Sequence, residues 1–171
     1  QLKLLRSVLG ERIYFFYADR LQVDEVDGTF LFWASGFVLA LSTSNSIPGK
    51  FRTYINISAD YRLSTQESTT YYEFEINVSS APLWQEGALQ FSKLSSLRIF
   101  SDPILMIEIY QSCSNAGEKA VLHDCAMVFY SHGRKILLQA RQELIGGLDI
   151  ILDENFIEAQ TKKLKLRYTL V

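Results

Sequence analysis

Groups able to do nucleophilic chemistry are few in this chain: the imidazoles of His123 and His132 and the thiols of Cys113 and Cys125. Nucleophilic catalysis needs a nucleophile held by a base that is itself oriented, and no Gly-x-Ser-x-Gly elbow accompanies the two histidines. His132 is accounted for by Ser131-His132-Gly133-Arg134, where a His-Gly pair suits a tight hairpin turn. His123 is the histidine left for chemistry. Registry counted out from that turn sets Gln111, His123 and Gln142 in one row across neighbouring strands, with Cys113 on the same face. Such a row is either a small ligand or metal site or a polar rim closing the end of an apolar face. A metal ion wants about three or four convergent ligands, more than the row offers, so the rim is the expectation and neither metal nor cofactor is expected. Cys125 shares its face with Met127 and Phe129, where a thiol acts as a small hydrophobe. The registry holds Cys113 and Cys125 too far apart along the ladder to bridge, so both thiols should be free.

Three other clusters carry charge or aromatic surface. Asp19, Asp24, Glu25 and Asp27 gather near one turn and would be a calcium loop if their spacing alternated as in an EF-hand, which it does not; a solvated acidic turn is expected. Lys163, Lys165 and Arg167, with Lys162 beside them, would project from one face of the last strand. They suit docking of a phosphate or acidic partner, or protection of a sheet edge by lysines. Without a glycine-rich phosphate loop or interleaved stacking residues, edge protection is the expectation. Tyr54, Tyr71 and Tyr130 fall at outward positions and are candidates for an interaction surface, since tyrosine offers large contact area at low entropic cost.

The elements that must position these residues read as strands. Tyr72, Phe74, Ile76 and Val78 alternate with Tyr71, Glu73, Glu75 and Asn77, and Ile55 and Ile57 alternate with Tyr54 and Asn56; these two segments should pair. A hairpin at His132-Gly133 would oppose Phe129 to Ile136, Met127 to Leu138, Cys125 to Ala140 and His123 to Gln142, with Asp124 facing Arg141 on the other side. A turn at Ile145-Gly146-Gly147 would then set Ala140 against Leu152. Leu105, Ile107 and Ile109 would meet Phe129, Met127 and Cys125, so that residues 103 to 153 form a four-stranded meander. Phe30 to Leu41 is apolar on both faces, as for a central strand bent at Gly36, with Ile13 to Ala18 preceding it across an acidic turn from Gln22 to Gly28. Leu2, Leu5 and Leu9 have helical spacing, and Asp153 to Lys162 reads as a short helix capped by Asp153.

A length of 171 residues with 48% hydrophobic and 21% charged residues suits one soluble domain. The expected class is all-β: an antiparallel β-sandwich, C2-like or jelly-roll-like, or alternatively a partly closed barrel. Its 17 basic and 19 acidic residues leave a net charge of -2, so no global field recruits nucleic acid or anionic lipid. The longest apolar run is well short of the roughly 20 residues of a transmembrane helix. Two cysteines are too few for a disulfide framework and point to a reducing, intracellular compartment. Asn56-Ile57-Ser58 and Asn77-Val78-Ser79 match the glycosylation pattern, which arises often by chance. The chain starts at Gln1 rather than Met, consistent with a domain excised from something longer.

With no catalytic constellation, the sequence reads as a non-enzymatic interaction or structural module within a larger protein or assembly, its partner another protein or a second copy of itself. The alternative is a carrier that holds an apolar small molecule against Phe30, Phe32, Trp33 and Phe37.

Overall fold

The computed structural model describes residues 1–18, 20–42, 53–64, 69–79, 84–86, 89–91, 95–99, 102–116, 119–142 and 146–171. The chain is an antiparallel β-sandwich, and among the described residues no closed barrel forms. One layer is a five-stranded sheet built from β1 (Arg12–Ala18), β4 (Gly36–Ser42), β5 (Thr53–Ser64), β6 (Thr69–Ser79) and β9 (Ser95–Leu97), in the order β6-β5-β4-β1-β9. The other is a seven-stranded sheet of β2 (Gln22–Val26), β3 (Thr29–Ala34), β10 (Met106–Ala116), β11 (Lys119–Ser131), β12 (Arg134–Ala140), β13 (Leu148–Ile151) and β14 (Lys165–Leu170), in the order β14-β10-β11-β12-β13-β3-β2. Among the described residues β7 (Trp84–Glu86) and β8 (Leu89–Phe91) pair with each other alone.

The core lies between the two sheets. Ile55, Ile57, Phe74 and Phe37 from one side meet Ile107, Met127, Phe129, Ile136 and Leu138 from the other, all buried, and Phe16 and Phe37 touch edge to face at 6.3 Å between ring centroids. A first helix, α1 (Leu2–Arg6), buries Leu5 in the same core. The second, α2 (Glu154–Thr161), covers the outer face of the seven-stranded sheet, where Ile157 packs with Tyr110, Ala126, Val128 and Leu137. Asp153 caps α2, its Oδ1 accepting from the Phe156 backbone N–H at 2.7 Å, as the sequence predicts. Among the described residues no helix is long and apolar enough to cross a membrane.

The β5–β6 pairing is found, with Ile55 opposite Val78 and Ile57 opposite Ile76, and β10 to β13 form the expected meander. Within it, registry holds nearest the His132-Gly133 turn: Phe129 faces Ile136 and Met127 faces Leu138. Farther out it departs. Ile107, not Leu105, faces Phe129, and Ala140 faces Leu148, not Leu152. The second departure follows from a longer loop: Arg141 N–H donates to the Gly147 carbonyl at 2.9 Å, and Gly146 and Gly147 both adopt positive φ (65° and 100°). At Gly147 a Cβ would lie 2.8 Å from the Ala34 carbonyl oxygen, so the loop closes against β3 only because that residue has no side chain.

The apolar run from Phe30 to Leu41 is not one bent strand. The chain leaves the seven-stranded sheet at Ala34, turns at Ser35 and enters the five-stranded sheet at Gly36. The two halves belong to different layers: Phe37 to Leu41 are buried throughout, whereas Phe30 at the start of the run is exposed. The acidic turn is likewise mostly a strand: β2 and β3 form a hairpin whose loop residues Asp27 and Gly28 have φ of 51° and 78°, the type I′ geometry that Asp-Gly favours.

Candidate functional site

Two bulges reshape the row expected around His123. On β11, Ala126 faces Tyr110 and Asp124 faces Gln111, so Cys125 is the extra residue. On β14, Tyr168 faces Ile109 and Leu166 faces Tyr110, so Arg167 is the extra residue. A bulge re-aims the side chains around it. Cys125 therefore leaves the inner face of Met127 and Phe129 and joins Tyr110 and Ala126 on the outer one, where burial pushes its thiol up to about 12; it is a free cysteine. The side chain of Cys113 lies outside the described residues.

His123 stands opposite Ser112, not Gln111, and pairing between β11 and β12 ends before it reaches Gln142. Gln111, His123 and Gln142 thus do not form one row. His123 and Gln142 instead both close on β6. The buried imidazole lies against Tyr71, with ring centroids 4.8 Å apart, and Gln142 accepts from the Tyr72 N–H at 3.0 Å while donating to the Tyr72 carbonyl at 3.1 Å. The amide reproduces a strand partner and fastens the tip of β6 to the opposite sheet. A rim role was expected for this set; the strand it grips was not legible, because nothing local links residue 72 to residue 142.

Beside this rim is a cavity of about 220 Å³ between the sheets. Leu5, Phe74, Ile76, Ile109 and Met127 line its depth, and Glu73, Asp124, Arg167 and Tyr168 its polar wall. Arg167 Nη1 reaches both Asp124 oxygens at 2.9 and 2.8 Å and lies over the Tyr168 ring at 4.7 Å. Asp124 therefore pairs with Arg167 rather than with Arg141. Arg141 binds Asp149 at 2.7 Å and Asp24 at 2.8 Å and stacks on Trp33 at 4.6 Å, tying β2, β3 and β13 together on the outer face.

Burial lowers the pKa of His123, against upward pulls from the Val121 carbonyl, Glu73 and Asp124. A base with a folded pKa below its unfolded value binds fewer protons when folded, so its contribution to stability is present above about pH 6.5 and is lost as pH falls towards the folded pKa. Urea midpoints should therefore drop on acidification through that window, and His123→Phe, which keeps a ring against Tyr71, should flatten the drop. An unchanged pH profile in the variant would show that His123 does not govern it.

The remaining expected residues scatter. Tyr130 is half-buried beneath α2; it and Tyr110 both donate to Glu108 Oε2, the latter at 2.7 Å. Burial and the Glu108 carboxylate raise both phenols, Tyr110 to about 12. Tyr54 is half-buried on the outer face of the five-stranded sheet, where burial also raises its pKa. The three tyrosines form no common patch. Asn56 and Asn77 are register partners on β5 and β6, and Asn77 donates to Glu75 at 3.1 Å. Lys163 lies in the turn before β14, Lys165 on the strand and Arg167 in the bulge, so no single stripe forms. β14 is nonetheless an edge strand. The carrier residues also part company: Phe37 is in the core, Phe32 packs beside it, Trp33 is on the outer face and Phe30 is exposed. Asp19 is outside the described residues, Asp24 is held by Arg141, and no group of metal ligands occurs among the described residues.

What the residue list missed is the opposite edge. At the β2 end of the seven-stranded sheet Val23 is 55% exposed, Val26 41% and Phe30 58%. β2 pairs with β3 alone among the described residues, and Glu25 and Asp27 beside these apolar groups are exposed carboxylates. The signal was present as Asp27-Gly28 between two alternating segments. No family model matches the chain, and no curated protein or solved structure does either.

Proposed function

We propose that this chain is a non-enzymatic protein-interaction module that receives an extended partner segment along the β2 edge. The observation that carries the reading is a strand, β2, that pairs on one side only among the described residues and is flanked by three exposed apolar side chains and by carboxylates. Large exposed apolar groups on an unpaired edge favour aggregation unless something covers them. The complementary occupant is a strand that carries both basic and apolar residues: its main chain extends the ladder, its apolar side chains meet Val23 on one face and Val26 on the other, and its charges meet Glu25 and Asp27.

The test is titration of dilute protein with a short peptide of alternating lysine and valine, followed by amide hydrogen exchange. Binding with protection confined to residues 22–33 is the expected result, and Gln22→Lys with Glu25→Lys should abolish it. No binding, or equal binding of a peptide with glutamate in place of lysine, would overturn the proposal.

A further inference from the structure

The geometry points to a second copy of this chain as the occupant of the β2 edge, entering with its own β14; this rests on the reading of β2 given above. The two strands close opposite ends of the same seven-stranded sheet. One end is acidic, with Asp24, Glu25 and Asp27, and exposes Val23 and Val26. The other is basic, with Lys163, Lys165 and Arg167, and exposes Leu166 at 46%. β14 with the turn before it therefore supplies basic and apolar residues of the kind β2 calls for. Arg167 is held by Asp124 and Asp24 by Arg141, so the charges left to meet across such a junction are Lys163 and Lys165 on one side and Glu25 and Asp27 on the other.

Charge also selects among the ways two copies can meet. Joining two β2 strands sets carboxylate against carboxylate, and joining two β14 strands sets lysine against lysine; only β2 with β14 brings opposite signs together. Every neighbouring pair in the sheet is antiparallel, so directions alternate and β14 and β2, at the two ends, run the same way. A copy added with its layers in the same orientation thus joins as a parallel pair. Such a contact uses different surfaces on the two molecules, and each added copy presents a fresh β2 and a fresh β14. The product is an open chain or a ring, not a two-fold dimer.

The experiment is sedimentation of three proteins over a range of concentrations: the natural chain, an acid-edge variant (Gln22→Lys with Glu25→Lys) and a base-edge variant (Lys163→Glu with Lys165→Glu). Asp24 and Asp27 are left intact because Arg141 and the hairpin turn need them, and the four altered residues are exposed. Unchanged circular dichroism controls for folding. The natural chain should gain mass by about two-fold or more on concentration, less so in high salt, and each variant alone should associate about 100-fold more weakly. Mixed together, the two variants restore opposite charge at every junction and should assemble again. A natural chain that stays monomeric, assembly indifferent to either reversal, or a mixture that fails to recover would each overturn the inference. Binding of the lysine–valine peptide to β2 by a monomeric natural chain would leave the broader interaction reading standing, whereas loss of both would remove it.

Discussion

Arg141→Leu is expected to destabilise the fold by about 3–5 kcal/mol, because it takes the guanidinium ion pair away from the largely buried Asp149 carboxylate. The guanidinium holds Asp149 through Nε and Nη2, reaches Asp24 across the β2–β3 hairpin and rests on Trp33. Removing one member takes away the opposite charge that offsets desolvation, whereas removing both ends of a buried pair is far less costly. The double variant Arg141→Leu with Asp149→Leu should therefore recover most of the loss. Urea denaturation of the single and double variants measures the difference. A double variant as unstable as the single one would show that packing on Trp33, not charge, is what Arg141 contributes.

Phe37→Ala should cost a similar amount, about 3–5 kcal/mol, as the lost burial of a ring and the cavity it leaves add together. Phe37 is fully buried against Phe16 and sits just after the chain passes between layers. Phe30, seven positions earlier in the same apolar run, is more than half exposed, and Phe30→Ser should change stability by only about 0.5 kcal/mol. The contrast is measurable by thermal or urea unfolding of the two variants. Equal losses would mean that the lip around Phe30 is covered in the free protein.

These two phenylalanines mark where the sequence was legible and where it was not. Alternation placed Ile55, Ile57, Phe74 and Ile76 on one inner face correctly, and the His132-Gly133 turn fixed the register of Met127 and Phe129. A run apolar on both faces, however, carries no period, so nothing distinguished one central strand from two strands in different layers meeting at Ser35. Bulges are equally silent: one extra residue at Cys125 and another at Arg167 swap faces without altering composition. Registry extrapolated past them put Gln111, His123 and Gln142 into a row that does not exist. The contacts of the rim are also long-range, Tyr71 with His123 and Tyr72 with Gln142, and local spacing holds no record of them. The helix cap at Asp153 was readable because its donor lies within the same turn.

The passage of the chain through Ser35 also sets the order of events during synthesis. β3 finds its neighbour β13 only when Phe32 meets Ile150 and Leu31 meets Ile151, pairings between segments far apart in sequence. At roughly 5–20 residues per second on the ribosome, the β2–β3 hairpin stays bare on its β13 side for on the order of ten seconds before its partner emerges. The most apolar segment of the chain is thus also among the last to be sheltered. Non-local pairing of this kind slows folding and leaves apolar strand surface open while it waits.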